Sequence, residues 1–277
     1  MCHNCGASMS FYNFLDKVDS SLVKEYALER YKNGESKNTA KPTFEEFKSE
    51  RPVFKKSLGI PTIESLPEDH RARVFVEKRQ IPQERYNQLY FAEDFKQFAE
   101  NLGLNQEGLK ENDERLVIPF YDKDKNLIAI QGRAIGNSVL RYITIKTDDS
   151  NEKIFGMDTA NTEHMIYVVE GPFDSMFVNN AIATADSNLE HAATIYDKSN
   201  ITLVFDNEPR NKEIVKKMEK AIEDHYNVVI WPEMIEEKDI NDMILSGFTK
   251  EELEDIISKH TFINLRAKME FVNWKKV

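Results

Sequence analysis

Apolar and polar positions follow a strand period through the middle of the chain and an alternation of strand and helix periods after it. Leu116-Val117-Ile118-Pro119-Phe120-Tyr121 and Leu127-Ile128-Ala129-Ile130 are apolar runs of strand length, joined by the turn-forming stretch Asp122-Lys123-Asp124-Lys125-Asn126. They predict an antiparallel hairpin running to Arg133, with a third strand over 141–146. Ahead of it, 67–78, 82–89 and 94–102 read as helices and Tyr90-Phe91-Ala92 as a strand. Behind it, strand-length runs at 165–169, 181–184, 201–205 and 228–231 alternate with helical segments. Phe173, Met176 and Phe177 mark a short one, 188–196 is another, and 211–226 places Ile214, Met218, Ala221, Ile222 and His225 on one stripe, His225 reading as a helix-end residue. Thr249-x-x-Glu252 is a capping box that opens a last helix bearing Leu253, Ile256 and Ile257. Repeated strand–helix alternation implies right-handed crossovers, so the expected fold is α/β (α+β overall): a mostly parallel sheet flanked by helices, preceded by a small mixed helical and antiparallel subdomain.

Five segments follow. Residues 1–33 hold a cysteine knuckle and a helix with Phe11, Phe14, Leu15, Val18 and Leu22 at helical spacing. Polar, proline-containing 34–62 is a linker, 63–161 a basic subdomain, 162–260 a carboxylate-bearing domain and 261–277 a basic tail. The tail carries Leu265, Met269, Phe271 and Trp274 among Arg266, Lys268, Lys275 and Lys276, a pattern compatible with docking on the body, nucleic-acid contact or partner recruitment.

Composition narrows the class. With 277 residues, 40% hydrophobic and 31% charged, the chain reads as a soluble globular protein, and no apolar run is long enough to span a membrane. Two cysteines and the lack of signal-peptide regions point to a cytoplasmic setting. A net charge of −11 argues superficially against a nucleic-acid partner, but the acids crowd into 206–255, while 115–153 is mildly basic and the tail clearly so. Gathered carboxylates suit divalent cations, and a basic neighbour suits a polyanion.

The acids fall at strand ends. The run at 165–169 delivers Glu170-Gly171 and then Asp174; the run at 201–205 delivers Asp206-Asn207-Glu208; the run at 228–231 leads to Asp239-Ile240-Asn241-Asp242. One acidic loop after a strand is ordinary solvated surface, but three in succession fit the site formed at the carboxyl ends of an open parallel sheet. Glu170, Asp174, Asp206, Glu208, Asp239 and Asp242 offer oxygen donors for Mg2+ or Mn2+. The chemistry this permits is metal-dependent phosphoryl transfer on a polyanion, in which strand synthesis and strand cleavage fit equally well. Arg115, Arg133, Arg141 and Lys146 supply the basic side, although any one arginine alone is more often a solvated charge. At the N-terminus, Cys2 and Cys5 form one knuckle with His3 inside it as a loop residue. Tetrahedral Zn2+ needs four ligands, so zinc binding there requires a second pair, and the segment reads as a truncated ribbon.

These residues carry a resemblance. Glu170-Gly171, Asp206-x-Glu208 and Lys238-Asp239-Ile240-Asn241-Asp242 resemble the three signatures of a TOPRIM domain. Arg115 to Asp122, Gln131-Gly132-Arg133, Arg141-Tyr142 and Phe155-Gly156 resemble the basic subdomain that precedes TOPRIM in bacterial-type primases, and the whole order is similar to T-even-type phage primases. The resemblance implies a TOPRIM-type sheet and synthesis of short RNA primers on a single-stranded DNA template from ribonucleoside triphosphates. It also implies a replicative helicase as partner, no membrane, and bacterial or phage-infected host cytoplasm as the setting. By position, Glu170 would assist proton transfer or hold a metal. Asp206 and Glu208 would be the principal ligands, with Asp239 an additional one, and Arg115, Arg133, Arg141 and Lys146 would track template or nucleotide phosphates. Two departures stand out: Asp-x-Glu replaces the Asp-x-Asp of many members, and the first zinc knuckle is absent. A TOPRIM nuclease acting on RNA or DNA, and a non-catalytic accessory protein binding single-stranded DNA or the helicase, are the competing expectations; a topoisomerase is disfavoured, since nothing marks a tyrosine as its nucleophile.

Overall fold

In the computed structural model, which describes residues 58–277 apart from positions 137, 150, 151, 186 and 187, strand β2 (Arg115–Tyr121) is apolar at nearly every position because both of its faces are covered. Cys2, Cys5, the helix expected over 11–32 and the linker up to residue 57 lie outside the described residues. Strand β2 belongs to a four-stranded antiparallel sheet, order β1-β2-β3-β4, with β1 Tyr90–Ala92, β3 Leu127–Ala134 and β4 Tyr142–Lys146. Pleating sends Leu116, Ile118 and Phe120 to one face and Val117 to the other. The first group joins the core that contains Val76 of helix α1 (Arg71–Lys78); Val117 packs with Phe95, Phe98 and Ala99 of helix α2 (Phe95–Asn101). In the β2–β3 turn Asp122 accepts from the backbone N–H groups of Asp124 (2.9 Å) and Asn126 (2.8 Å), while Lys125 takes the positive φ of 65°. The Asp and Asn side chains thus supply hydrogen bonds rather than the left-handed backbone.

Gly132 in β3 is required by close approach. A Cβ there would lie 2.7 Å from Cδ of Arg115 and 2.8 Å from the Phe95 ring, so Gly132→Ala is expected to destabilise the protein by about 1–3 kcal/mol, the usual range for overpacking. Urea unfolding should show a lower midpoint with an unchanged slope. An unchanged midpoint would mean that the Arg115 stem moves aside freely.

The second sheet has the order β6-β5-β7-β8-β9, with β5 Ile166–Val169, β6 Ala181–Ala183, β7 Ile201–Leu203, β8 Asn227–Val229 and β9 Thr261–Phe262. Every pairing is parallel except β8 with β9, in line with the expected mostly parallel sheet. The chain steps from β5 outward to β6 and then returns to β7 on the other side of β5. The order therefore reverses between β5 and β7, which is where open α/β sheets place a crevice. Helices α3 (Pro172–Ser175), α4 (Lys212–Glu223), α5 (Ile240–Ser246), α6 (Lys250–Lys259) and α7 (Asn264–Trp274) accompany this sheet. The capping box of Thr249 and Glu252 opens α6. His225 follows α4 with φ 61° and holds Asn264 Oδ1 at 2.7 Å through Nδ1, a helix-end role.

Two segments read as helices, 82–89 and 188–196, contain 3-10 helices instead, Gln83–Gln88 and Leu189–Thr194, the form that short pieces between chain reversals adopt. The tail docks on the body: β9 extends the second sheet, and α7 buries Ala267, Phe271 and Trp274. Among the described residues, no helix is long and apolar enough to cross a membrane.

Candidate active site

The acidic rim forms where the sheet order reverses. The N–H of Val204 donates to the carbonyl of Val168 (2.8 Å), keeping the ends of β5 and β7 level, and two residues on the N–H of Asp206 donates to Glu170 Oε1 (3.4 Å). Gly171 caps α3 with φ −107°, an ordinary value; glycine is needed because a Cβ would lie 2.5 Å from Oδ2 of Asp174. Oδ1 of Asp174 accepts the N–H of Asn241 (3.0 Å), which draws the start of α5 into the site. Asp239 caps that helix by accepting the N–H of Asp242 (2.8 Å). Asp174, Asp206 and Asp239 line a narrow cleft with Val169, Phe205 and Trp231. Glu208 stands outside it, tied through Lys238, whose Nζ lies 3.5 Å from Glu208 Oε1 and 3.8 Å from Asp206 Oδ2. Asp242 is exposed on the first turn of α5.

Asn207 braces the loop between the two acids. Its N–H donates to the Lys238 carbonyl (2.6 Å), its Nδ2 to the carbonyls of Ile235 (2.9 Å) and Glu237 (3.1 Å), and its Oδ1 accepts from Trp274 Nε1 (2.9 Å). The C-terminal helix therefore helps set the position of Asp206 and Glu208.

Crowding and burial raise the proton affinity of these groups. Burial, then the negative charges of Glu170, Asp174 and Asp239, push Asp206 up to about 8 against the pull of Lys238. Asp174 is pushed up to about 7 by burial and Asp239, with the Asn241 N–H and Arg79 opposing. Burial also raises Glu170, although the Asp206 N–H resists it, and burial with Asp239 raises Asp242. Half-buried oxygen donors that repel one another suit a hard divalent cation. Among the described residues, however, no three His, Cys, Asp or Glu side chains converge closely enough to hold a metal ion, so the expected six-carboxylate set is not assembled as ready-made coordination. The fit lies in donor chemistry and charge.

The basic side divides three ways. Arg115, expected to reach phosphates, is 1% exposed and fully engaged within the protein: its Nε pairs with Asp113 Oδ2 (2.7 Å), and Nη1 donates to the carbonyls of Gly132 and Leu140 (3.1 Å each). The missing Cβ of Gly132 makes room for Cδ of the Arg115 stem, which carries the guanidinium into the sheet layer. Arg133 faces Tyr142 across the β3–β4 register, its guanidinium 4.6 Å from the Tyr142 ring centroid and 5.8 Å from that of Phe75. Burial lowers its proton affinity, and its buried Nε has no hydrogen-bond partner among the described residues. Arg141 is exposed at the head of β4. Lys146 is at the opposite end, about 17 Å along the strand, with its ammonium on the Asp149 carbonyl. Tyr142 stands between the two sides: burial raises its hydroxyl pKa, Arg133 and Arg79 pull it down, and Asp174 and Asp239 push it up.

Arg79, at the end of α1, gave no signal in the sequence beyond closing a helix. Its guanidinium lies over the rings of Phe75 (5.2 Å) and Phe173 (5.1 Å), and Nη1 donates to Asn241 Oδ1 (2.6 Å).

The chain is 29% identical over 280 residues to the DNA primase of Enterobacteria phage T4, covering 100% of this chain and 81% of that one. The Aquifex aeolicus primase, with zinc-binding and RNA polymerase domains, superposes with a TM-score of 0.54 at 19% identity, covering 99% of this chain and 80% of that one. A DnaG primase catalytic domain bound to single-stranded DNA superposes with a TM-score of 0.53 at 18% identity, covering 73% and 77% of the respective chains. No protein-family model matches the chain. The chain is thus similar in sequence, along its whole length, to the T4 DNA primase, and similar in fold to the catalytic cores of bacterial primases.

Proposed function

We propose that the chain is a DNA primase with a TOPRIM-type site, polymerising ribonucleoside triphosphates into short primers on single-stranded DNA. The observation that carries this reading is the meeting of Glu170 and Asp206 at the sheet's reversal point, in a rim whose Asp174 and Asp239 lie near enough to Tyr142 of the antiparallel sheet, stacked under Arg133, to act on its hydroxyl. Such an arrangement has an acidic rim for the reacting phosphates and a basic wall for the polyanion. Glu170, Asp174, Asp206, Glu208 and Asp239, with Asp242 at the edge, would hold Mg2+ or Mn2+, which when bound supplies charge stabilisation to the transferring phosphoryl group.

The remaining roles belong to the chain. Glu170, with raised proton affinity, takes the proton-transfer role at the attacking hydroxyl. Lys238 offsets part of the charge on Asp206 and Glu208 when the site is empty. Arg141, exposed, meets the template backbone, and Arg133, stacked on Tyr142, adds to the positive charge of that face. Single-stranded DNA bound to the DnaG relative supports a DNA template here; a replicative helicase as partner rests on the resemblance alone.

Purified protein given single-stranded DNA, labelled ribonucleotides and Mg2+ or Mn2+ is expected to lengthen an annealed oligoribonucleotide, a substrate that separates polymerisation from primer initiation. Metal-dependent degradation of RNA or DNA with no extension would instead assign a nuclease. Template binding with neither product would assign an accessory protein.

A further inference from the structure

We propose that Arg79 is a positioning residue for Asp174, acting through Asn241, so that the helical layer over the antiparallel sheet sets the geometry of the acidic rim. This rests on the reading of Asp174 as part of the cation-binding rim. Four observations converge on the pair. First, the two residues, 162 positions apart, exchange hydrogen bonds: Arg79 Nη1 donates to Asn241 Oδ1 (2.6 Å), and Asn241 Nδ2 donates to the Arg79 carbonyl (2.8 Å). Both ends of the Asn241 amide are thereby fixed, which leaves its side chain one orientation. Second, Asn241 is 3% exposed, so losing its partner would strand buried polar atoms rather than return them to water. Third, the backbone N–H of the same residue donates to Asp174 Oδ1 (3.0 Å), so the position of Asn241 is transmitted directly to the carboxylate. Fourth, the guanidinium is held between two aromatic rings, and one of these, Phe173, immediately precedes Asp174 in α3.

Arg79 thus touches the site from two directions, through α5 by hydrogen bonding and through α3 by stacking. A planar guanidinium can stack and donate in plane at once, whereas an ammonium is a compact charge with no plane to stack and no fixed direction for its donors. The role is consequently one of shape as well as charge, and a lysine at position 79 should not replace it. Residues that orient a ligand to a cation typically change its affinity by about 10–100-fold when removed.

The test measures Mn2+ binding to the whole chain by calorimetry, alongside the Mn2+ dependence of primer extension. Arg79→Lys and Asn241→Ala are each expected to weaken Mn2+ binding about tenfold and to raise the half-saturating Mn2+ for extension in parallel, with KM for template changed less than twofold. Because the Asn241 side chain acts through its link to Arg79, the double variant should be no weaker than Arg79→Lys alone, rather than about a hundredfold weaker than the wild type as independent sites would give. Unchanged Mn2+ affinity in folded Arg79→Lys would overturn the proposal, as would multiplying effects in the double variant. Should Asn241→Ala fail to fold, Arg79→Lys, at a partly exposed helix end, decides alone. Wild-type protein that binds no Mn2+ would instead overturn the reading of the rim on which the proposal stands.

Discussion

Asp206→Asn is expected to lower primer extension at least about a hundredfold, the usual cost of removing one group that stabilises charge in a transition state, while the folded protein melts at the same temperature or higher. Both halves follow from the same crowding. Asp206 is flanked by Glu170, Asp174 and Asp239 in a half-buried rim, and its pKa rises from 3.8 to about 8. A carboxyl with a raised folded-state pKa binds protons more tightly in the folded chain than in the unfolded one. Its contribution to stability is therefore complete below its ordinary pKa and is lost as pH rises through about 8. Without metal, the wild-type protein should lose stability between about pH 4 and 8, with Asp174, raised to about 7, adding to the same slope. Asparagine at 206 carries no charge, so the slope should flatten and the melting temperature at pH 8 should rise, by about 2–4 °C per kcal/mol of relieved repulsion in a domain of this size. Adding Mn2+ should stabilise the wild type and stabilise the variant much less, since a ligand stabilises a protein only as far as it binds the folded state. Thermal melts at pH 5 and pH 8, with and without Mn2+, read out each part separately. A large loss of stability at both pH values would show that Asp206 chiefly supports the fold.

The acidic rim was legible because it follows from two simple signals: apolar runs of strand length, and acids at the points where those runs stop. The close approach of Asp174 Oδ2 to Gly171 became visible only in the structure. What stayed hidden depends on register or on distance along the chain. In the tail, Leu265, Met269, Phe271 and Trp274 look alike in sequence; the packing buries Phe271 and Trp274 and leaves Leu265 and Met269 in solvent. The link between Trp274 and Asn207, which braces the second acidic loop from 67 residues away, has no local signature at all. Arg79 and Asn241 are further apart still; Arg79 reads as an ordinary helix-end residue, and Asn241, though within the third acidic signature, gives no sign of its partner. Nor does a list of carboxylates say how closely they converge, because that depends on loop geometry after the strand and on charge repulsion in the absence of a cation.

Arg115 is the sharpest case of a residue whose type misleads, and it gives the second large effect. Arg115→Met is expected to destabilise the protein by about 1–3 kcal/mol, the range for leaving buried hydrogen-bonding groups without a partner, since Asp113 keeps some contact with solvent. The loss has three parts. Asp113 loses the guanidinium at 2.7 Å, the carbonyls of Gly132 and Leu140 lose their donor, and the space the guanidinium filled is left partly empty. Methionine preserves much of the stem that packs over Phe95, so the measurement reports mainly the polar end. Arg141, one residue past the Leu140 carbonyl that Arg115 holds, provides the contrast. It is exposed, so Arg141→Ala should leave stability within about 0.5 kcal/mol while reducing the salt dependence of template binding by about one phosphate contact. The two variants should therefore separate: one shifts the urea midpoint with the salt slope intact, and the other shifts the slope with the midpoint intact. If Arg115→Met lowers the salt slope at unchanged stability, the guanidinium leaves its buried position to meet the template, and the residue belongs to the nucleic-acid surface after all.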